Sequence, residues 1–200
     1  METGPVVVLV AVGAAAAAYF TLSNAQPTPP SVTPTAVVTS TSRATATPTP
    51  IAAFQGSRSP VQKPGAAPPL QLLTNVQAGK HEDYDRLVFT FRDAVPGYRV
   101  AYVQPPIVQD GSGLPVEVRG SAFLQVRMEP ASGYDMAANR PAYTGPKELT
   151  AGFTALLEAQ QTGDFEAVLS WVIGVPAQRD FRVLELSNPP RLVVDIGHKP

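Results

Sequence analysis

The residues that could do chemistry are concentrated in one run, His81-Glu82-Asp83-Tyr84-Asp85-Arg86. It offers an imidazole, carboxylates and a guanidinium, the groups used in metal binding and acid–base catalysis. Metal ligands must converge, whereas consecutive residues of an extended chain point alternately to opposite sides. Asp83 and Asp85 would share a side and suit Ca²⁺ weakly, but the further oxygen ligands that calcium needs are not in evidence. A polar turn before a strand explains the run equally well, so we predict no metal site and no cofactor.

Nucleophilic catalysis has little support in the sequence. The chain has no Cys and only two His, which excludes a thiolate zinc site, a cysteine nucleophile and an all-imidazole metal site. His81, Ser170 and an Asp could form a triad in principle, but Ser170 is not in a G-x-S-x-G turn and its neighbours are typical of a strand centre. The sequence contains no Walker A, dinucleotide-binding or HExxH motif. We therefore predict that the protein is not an enzyme and has no catalytic residues, with a small hydrolase as the less favoured alternative.

Four charged residues are predicted to pair structurally: Asp85, Arg86, Arg191 and Asp195. Arg191 and Asp195 fall on the same face of one strand, but at about 3.3 Å per residue they are about 13 Å apart and cannot pair with each other. Each needs a partner on a neighbouring strand, either Asp85 for Arg191 or Arg86 for Asp195. We expect charged pairs at the sheet margin that set the strand register, with direct ligand contact as the alternative.

A long loop over residues 131–145 carries the candidate ligand-binding residues. It is rich in Gly, Asn and Pro and holds two aromatic and two charged side chains, Tyr134, Asp135, Arg140 and Tyr143. Aromatic and polar groups on a long loop are typical of contact with a sugar or a peptide. They are equally typical of a loop packed over a sheet edge, so both readings stay open.

The elements that must position these residues are mostly β-strands. Apolar and polar residues alternate with period two in several segments, which predicts strands at 86–92, 98–103, 116–118, 122–128, 165–173, 181–186 and 191–196. Turn residues separate these segments. Short strands joined by such turns predict a mostly β fold, an antiparallel sandwich.

Residues 146–161 are ambiguous between a helix and a strand. Phe153, Leu156 and Leu157 suit a helical face, whereas Phe153, Ala155, Leu157 and Ala159 alternate as in a strand. We favour the strand, followed by a turn at Thr162-Gly163-Asp164 and a hairpin with the strand from Phe165 onward.

Composition divides the chain into three parts. Residues 1–25 contain an apolar run, 6–20, whose length predicts a signal peptide or an N-terminal membrane anchor. The one feature that disagrees is the absence of Lys and Arg before the run, where a signal peptide has a basic segment. Residues 26–69 are rich in Pro, Thr and Ser and are predicted to be a disordered linker. Residues 70–200 are predicted to be one compact β-sandwich domain. The net charge of −1 gives no electrostatic case for nucleic-acid binding.

The domain resembles the AMIN-like domain of exported proteins from high-GC Gram-positive bacteria, over about residues 76–200. The residues that carry the resemblance include Tyr84–Phe91, Pro96–Val103, Asp110–Gly113, Gly163–Gly174 and the closing stretch Leu186–Ile196 with its Asn-Pro-Pro-Arg turn. The resemblance implies two small sheets behind a signal or anchor and a linker. It also implies a non-catalytic module in the cell envelope.

The expected partners follow from that resemblance. AMIN domains direct cell-wall amidases and secretion or pilus components to the envelope, so we expect the chain to bind cell-wall polymer, namely peptidoglycan, or an envelope protein. We also expect a membrane contact through the N-terminal segment if it is not cleaved. The alternative is an interaction domain whose sheet edge pairs with a partner protein by strand addition.

Overall fold

The computed structural model of the chain describes residues 54–65 and 69–199, and in these residues every regular element is a β-strand. In chain order the strands are β1 (Val61–Lys63), β2 (Gln71–Lys80), β3 (Tyr84–Phe91), β4 (Gly97–Val103), β5 (Ala122–Glu129), β6 (Ala131–Ser132), β7 (Tyr134–Asp135), β8 (Arg140–Pro141), β9 (Glu148–Thr150), β10 (Glu158–Phe165), β11 (Val168–Val175), β12 (Phe181–Leu186) and β13 (Arg191–Gly197).

The strands form two principal sheets. The larger has six strands in the order β1-β4-β5-β11-β10-β9, and the smaller has five in the order β12-β13-β3-β2-β6. All pairings are antiparallel except that of β2 with β6. A separate two-stranded ribbon joins β7 to β8.

The two sheets pack face to face around one hydrophobic core, as a sandwich does. From β3, the alternate residues Leu87, Phe89 and Phe91 point into it, because successive side chains of a strand face opposite ways. Trp171 of β11 meets Phe89 edge to face, with ring centroids 5.8 Å apart and an interplanar angle of 68°. Both rings are fully buried. The predicted antiparallel β-sandwich is therefore confirmed.

The outer face of β11 is covered as well. The segment between β4 and β5 crosses it with Ile107 buried, and reaches β10, where Asp110 donates its backbone N–H to Thr162 O at 2.8 Å. A side chain at Gly174 would overlap the Arg119 carbonyl, so only glycine permits this close approach. The strand predicted at 116–118 is wrong, because those residues belong to this covering segment rather than to a sheet.

The hairpin of β10 and β11 differs from the prediction. Thr162-Gly163-Asp164 lies within β10, while residues 151–157 form a loop instead of the favoured strand. The turn is at Glu166 and Ala167, with positive φ values of 51° and 62°. A two-residue hairpin loop with positive φ at both positions is a type I′ turn, which usually contains Asn, Asp or Gly. Glu166 and Ala167 are none of these residues. The sequence signal therefore indicated the wrong turn.

The N-terminal side of the domain begins earlier than predicted. β1 lies within the segment assigned to the linker, yet Val61 pairs with Val100 and Lys63 with Tyr98 of β4. The predicted signal or anchor at 1–25, and the linker up to residue 53, lie outside the described residues. Within 54–65 and 69–199, no helix has the length and hydropathy needed to span a bilayer.

Candidate functional site

A row of three charged residues crosses the outer face of the five-stranded sheet. The register places Arg182 of β12 and Arg86 of β3 on either side of Asp195 of β13. Arg86 donates to both carboxylate oxygens at 2.6 and 2.9 Å, and Arg182 donates to Oδ2 at 2.8 Å. The hydrogen bond to Asp195 raises the pKa of Arg86 above its ordinary value.

The Asp195 carboxylate is fully buried, although it lies on the outward face. The guanidinium of Arg182 lies over the rings of Phe54 and Tyr84, at 4.8 and 4.9 Å from their centroids. The ring of His81 stacks on Tyr84 at 4.4 Å. These aromatic rings and the two arginines screen the carboxylate from water. We expected the charged pair at the margin of the sheet, whereas Asp195 lies on β13, between β12 and β3, and is covered by these side chains.

Asp85 takes a different role from the one considered for it. It is fully buried near the start of β3, where Oδ2 accepts from the backbone N–H groups of Ala155 and Leu156 and Oδ1 lies 2.9 Å from His198 Nε2. It thus ties the loop 151–157 and the chain end to the sheet. The proposed pairing with Arg191 is wrong, because Arg191 lies opposite Thr90, and its side chain donates to Pro189 O.

The His198–Asp85 pair has the composition of half a catalytic triad but not its geometry. A triad histidine uses one ring nitrogen for the carboxylate and the other for the nucleophile. Here Nδ1 of His198 lies 3.0 Å from Glu82 O, so both nitrogens are already engaged. Ser170 lies in the other sheet, fully buried on β11, while His81 is exposed. Within the described residues, no three His, Asp or Glu side chains converge as metal ligands would.

The 131–145 loop uses most of its candidate ligand-binding residues in internal contacts. Asp135 accepts from Arg92 at 2.7 Å, and this hydrogen bond holds the pKa of Asp135 below its ordinary value. Tyr143 packs on Trp171 and donates to Pro146 O, and burial raises the pKa of its hydroxyl.

The other two candidates of that loop are at the surface. Tyr134 donates its hydroxyl to Asn139 Oδ1 at 2.8 Å. Arg140 is exposed. The four candidate residues therefore do not line one common pocket. Asp135 and Tyr143 instead make contacts that hold the loop against the rest of the domain.

An open groove lies instead on the outer face of the six-stranded sheet, where β1, β4 and β5 meet. Its volume is about 600 Å³, and Arg99, Arg127, Glu129 and Gln62 line it. Arg99 and Arg127 are register partners on β4 and β5, and both are exposed. Opposed residues of an antiparallel pair have Cβ atoms about 4.5–5.5 Å apart, so two positive side chains leave the sheet side by side.

The groove was not found from the sequence. Period-two alternation does put Arg127 on the polar side of its strand. That Arg99 lies opposite Arg127 depends on the register of β4 against β5, which the sequence does not show. The other wall of the groove is formed by β1, which we had assigned to the linker.

Comparison with protein families finds a match over most of the residues that the structure describes. The family model of the AMIN-like domain matches residues 71–198. The chain belongs to the AMIN-like domain family. Domains of this family are generally non-catalytic binding modules and are typically extracellular or part of the cell envelope. The comparisons with curated proteins and with solved structures find no match to this chain.

Proposed function

We propose that the chain is an exported, non-catalytic module of the cell envelope that binds cell-wall polymer, with peptidoglycan as the ligand. The match of residues 71–198 to the AMIN-like domain is the observation that carries this proposal. The apolar run at 6–20 supports export, and if it is retained after export it anchors the domain in the membrane.

The geometry agrees with binding rather than catalysis. The one histidine beside a buried carboxylate, His198, has both ring nitrogens engaged and leaves none for activating a nucleophile. The groove beside Arg99 and Arg127 is open, with a lining that is partly polar and partly apolar, and its side chains can contact a polymer strand without enclosing it. A shallow surface of this kind suits a ligand that is long and cannot enter a closed pocket.

The test is a co-sedimentation assay of the full chain with isolated cell walls. We expect the chain to sediment with walls, and to do so equally after the walls are stripped of covalently attached anionic polymers. The urea-unfolded chain, returned to buffer immediately before mixing, is the control for nonspecific adhesion. A chain that stays entirely in the supernatant would contradict the proposal. Cell fractionation with N-terminal sequencing of the mature protein tests export and shows whether residues 1–25 remain attached.

One edge strand supports a second candidate, binding of a partner protein by strand addition. Lys and Pro protect edge strands from such pairing. β1 ends at Lys63 and is followed by Pro64, and β9 is preceded by Lys147. β12 is bridged by Ser57 at its first residue, Phe181, but it contains neither Lys nor Pro and exposes Leu184. A photo-crosslinking residue at Leu184 should then trap one defined envelope protein in cells, whereas the same residue at exposed Arg140 should not. Equal labelling at both positions would contradict this candidate.

A further inference from the structure

The facing arginines of the groove are an unfavourable arrangement for an isolated sheet. Arg99 and Arg127 are directly opposed on β4 and β5, and like charges in that relation destabilise strand pairing. An exposed position tolerates almost any polar residue, so folding alone does not call for two guanidinium groups here.

The charges around this pair compensate only one of the two arginines. Arg127 donates to Glu129 Oε2 at 3.2 Å, with both side chains about half exposed. Lys63, on the same border of the groove, is paired with Glu185 at 2.8 Å. The Arg99 side chain has neither a hydrogen bond nor an ion pair to any part of the chain that the structure describes. The groove therefore presents one unneutralised guanidinium beside a second that is weakly held.

The backbone at one end of the groove is closely packed. Gly97 and Gly65 are in close contact, and a side chain on either would overlap the neighbouring backbone, including the Glu129 carbonyl. β1 forms the far wall and, among the described residues, pairs with a strand on one side only. Lys63 at the end of β1 and Pro64 after it protect that other edge from strand pairing, so the ligand has to be held by the side chains of the groove.

We propose that this groove binds an acidic peptide, with one peptide carboxylate held between the guanidinium groups of Arg99 and Arg127. Arginine presents paired N–H donors that match the two oxygens of a carboxylate. Glu129 adds a negative charge at the border of the groove, which disfavours a run of phosphates and favours a ligand with a single acid group. The inference deepens the proposed function, on which it rests for the source of the peptide: the short peptides of the cell wall, rather than its glycan, are the part that the groove recognises.

The test uses a defined probe, N-acetyl-Ala-Ala with a free carboxylate, and follows the arginine side-chain Nε–Hε resonances by NMR. The amide-capped form of the same peptide is the matched probe. We expect the free acid to shift the resonances of Arg99 and Arg127. Capping the acid, or making the Arg99→Gln variant, should weaken binding by about tenfold, because each removes a charge-assisted hydrogen bond. Arg119→Gln, at an exposed arginine outside the groove, should bind as the wild type does.

Three results would overturn the inference: equal binding of the acid and amide forms, no effect of Arg99→Gln, or tighter binding of glycerol 3-phosphate than of the peptide. The last would assign the groove to phosphate-bearing polymers. All variants are at exposed positions, and native emission of Trp171 confirms that each is folded.

The two proposals fail separately. Loss of wall sedimentation by the wild-type chain, with Arg99-dependent peptide binding intact, would reject the wall as the natural ligand and support the groove as a carboxylate site. Wall sedimentation that persists in Arg99→Gln, with no binding of the free peptide, would reject the groove and support the proposed function through another surface.

Discussion

Replacing Asp195 with Asn should destabilise the domain much more than removing an exposed carboxylate. Asp195 is fully buried and accepts hydrogen bonds from Arg86 and Arg182 on the two neighbouring strands. Asn keeps the shape of the side chain but loses the charge and one acceptor oxygen. The two guanidinium groups then lie beside each other without an anion between them.

The magnitude follows from burial. Removing one partner of a fully buried ion pair costs about 3–5 kcal/mol, because the other charge stays buried and unpaired. The side chains of Arg86 and Arg182 are 24% and 32% exposed, so water compensates part of that loss. We therefore expect the free energy of unfolding to fall by about 2–4 kcal/mol.

Urea unfolding of the full chain, followed by the fluorescence of Trp171, measures this change. With a slope of about 2 kcal/mol/M, the midpoint should fall by about 1–2 M. Asp180→Asn is the matched control, since Asp180 contacts Arg58 at 3.2 Å with both side chains 47% exposed, and it should change stability by less than about 0.5 kcal/mol. Equal midpoints for the two variants would refute the argument that Asp195 holds three strands together.

Three further predictions concern the loops and the core. Arg92 holds the pKa of Asp135 below its ordinary value of 3.8, so this carboxylate stabilises the fold above that pH, and the stabilisation is lost as the pH falls through the lower folded pKa. The wild type should therefore be more stable than Asp135→Asn at neutral pH, and urea midpoints should converge under acid. Gly163→Ala should lower stability by about 1–3 kcal/mol in thermal unfolding, because its methyl group would overlap the Asp110 carboxylate. Trp171, the only tryptophan, is fully buried, so iodide should quench its emission only after unfolding.

Each of these has a contrary outcome. Gly79→Ala is the matched glycine control, because its nearest neighbour is His81 Nε2 at 4.0 Å, and an equal loss there would remove the steric explanation. A stability difference for Asp135→Asn that stays constant into acid would show that Arg92 does not stabilise the charged carboxylate. Quenching of the native chain as strong as that of free tryptophan would show that Trp171 is accessible.

Local patterns predicted several strands well. The alternation in 86–92 and 122–128 corresponds to β3 and β5, and the segments 181–186 and 191–196 correspond to β12 and β13. Such strands are recognisable because burial of one face imposes period two on the strand's own residues. The prediction of a turn at Thr162-Gly163-Asp164 failed because the glycine there serves a tertiary contact and not a turn. Gly163 indicated a turn, but the structure uses it to admit the Asp110 carboxylate over a strand.

The sequence by itself determined the fold class, because alternation and turn residues are properties of short segments. It also indicated the family, through motifs spread along the domain. Only the tertiary structure decided three contacts. Asp195 binds two arginines, Asp85 binds the backbone of the loop 151–157 instead of pairing with Arg191, and the side chains of Arg99 and Arg127 lie next to each other at the surface. These pairings depend on the strand register, and the groove beside the two arginines also depends on β1, which joins the sheet from within the segment predicted to be a linker. Register is set by burying both sheets at once, so no segment carries it alone.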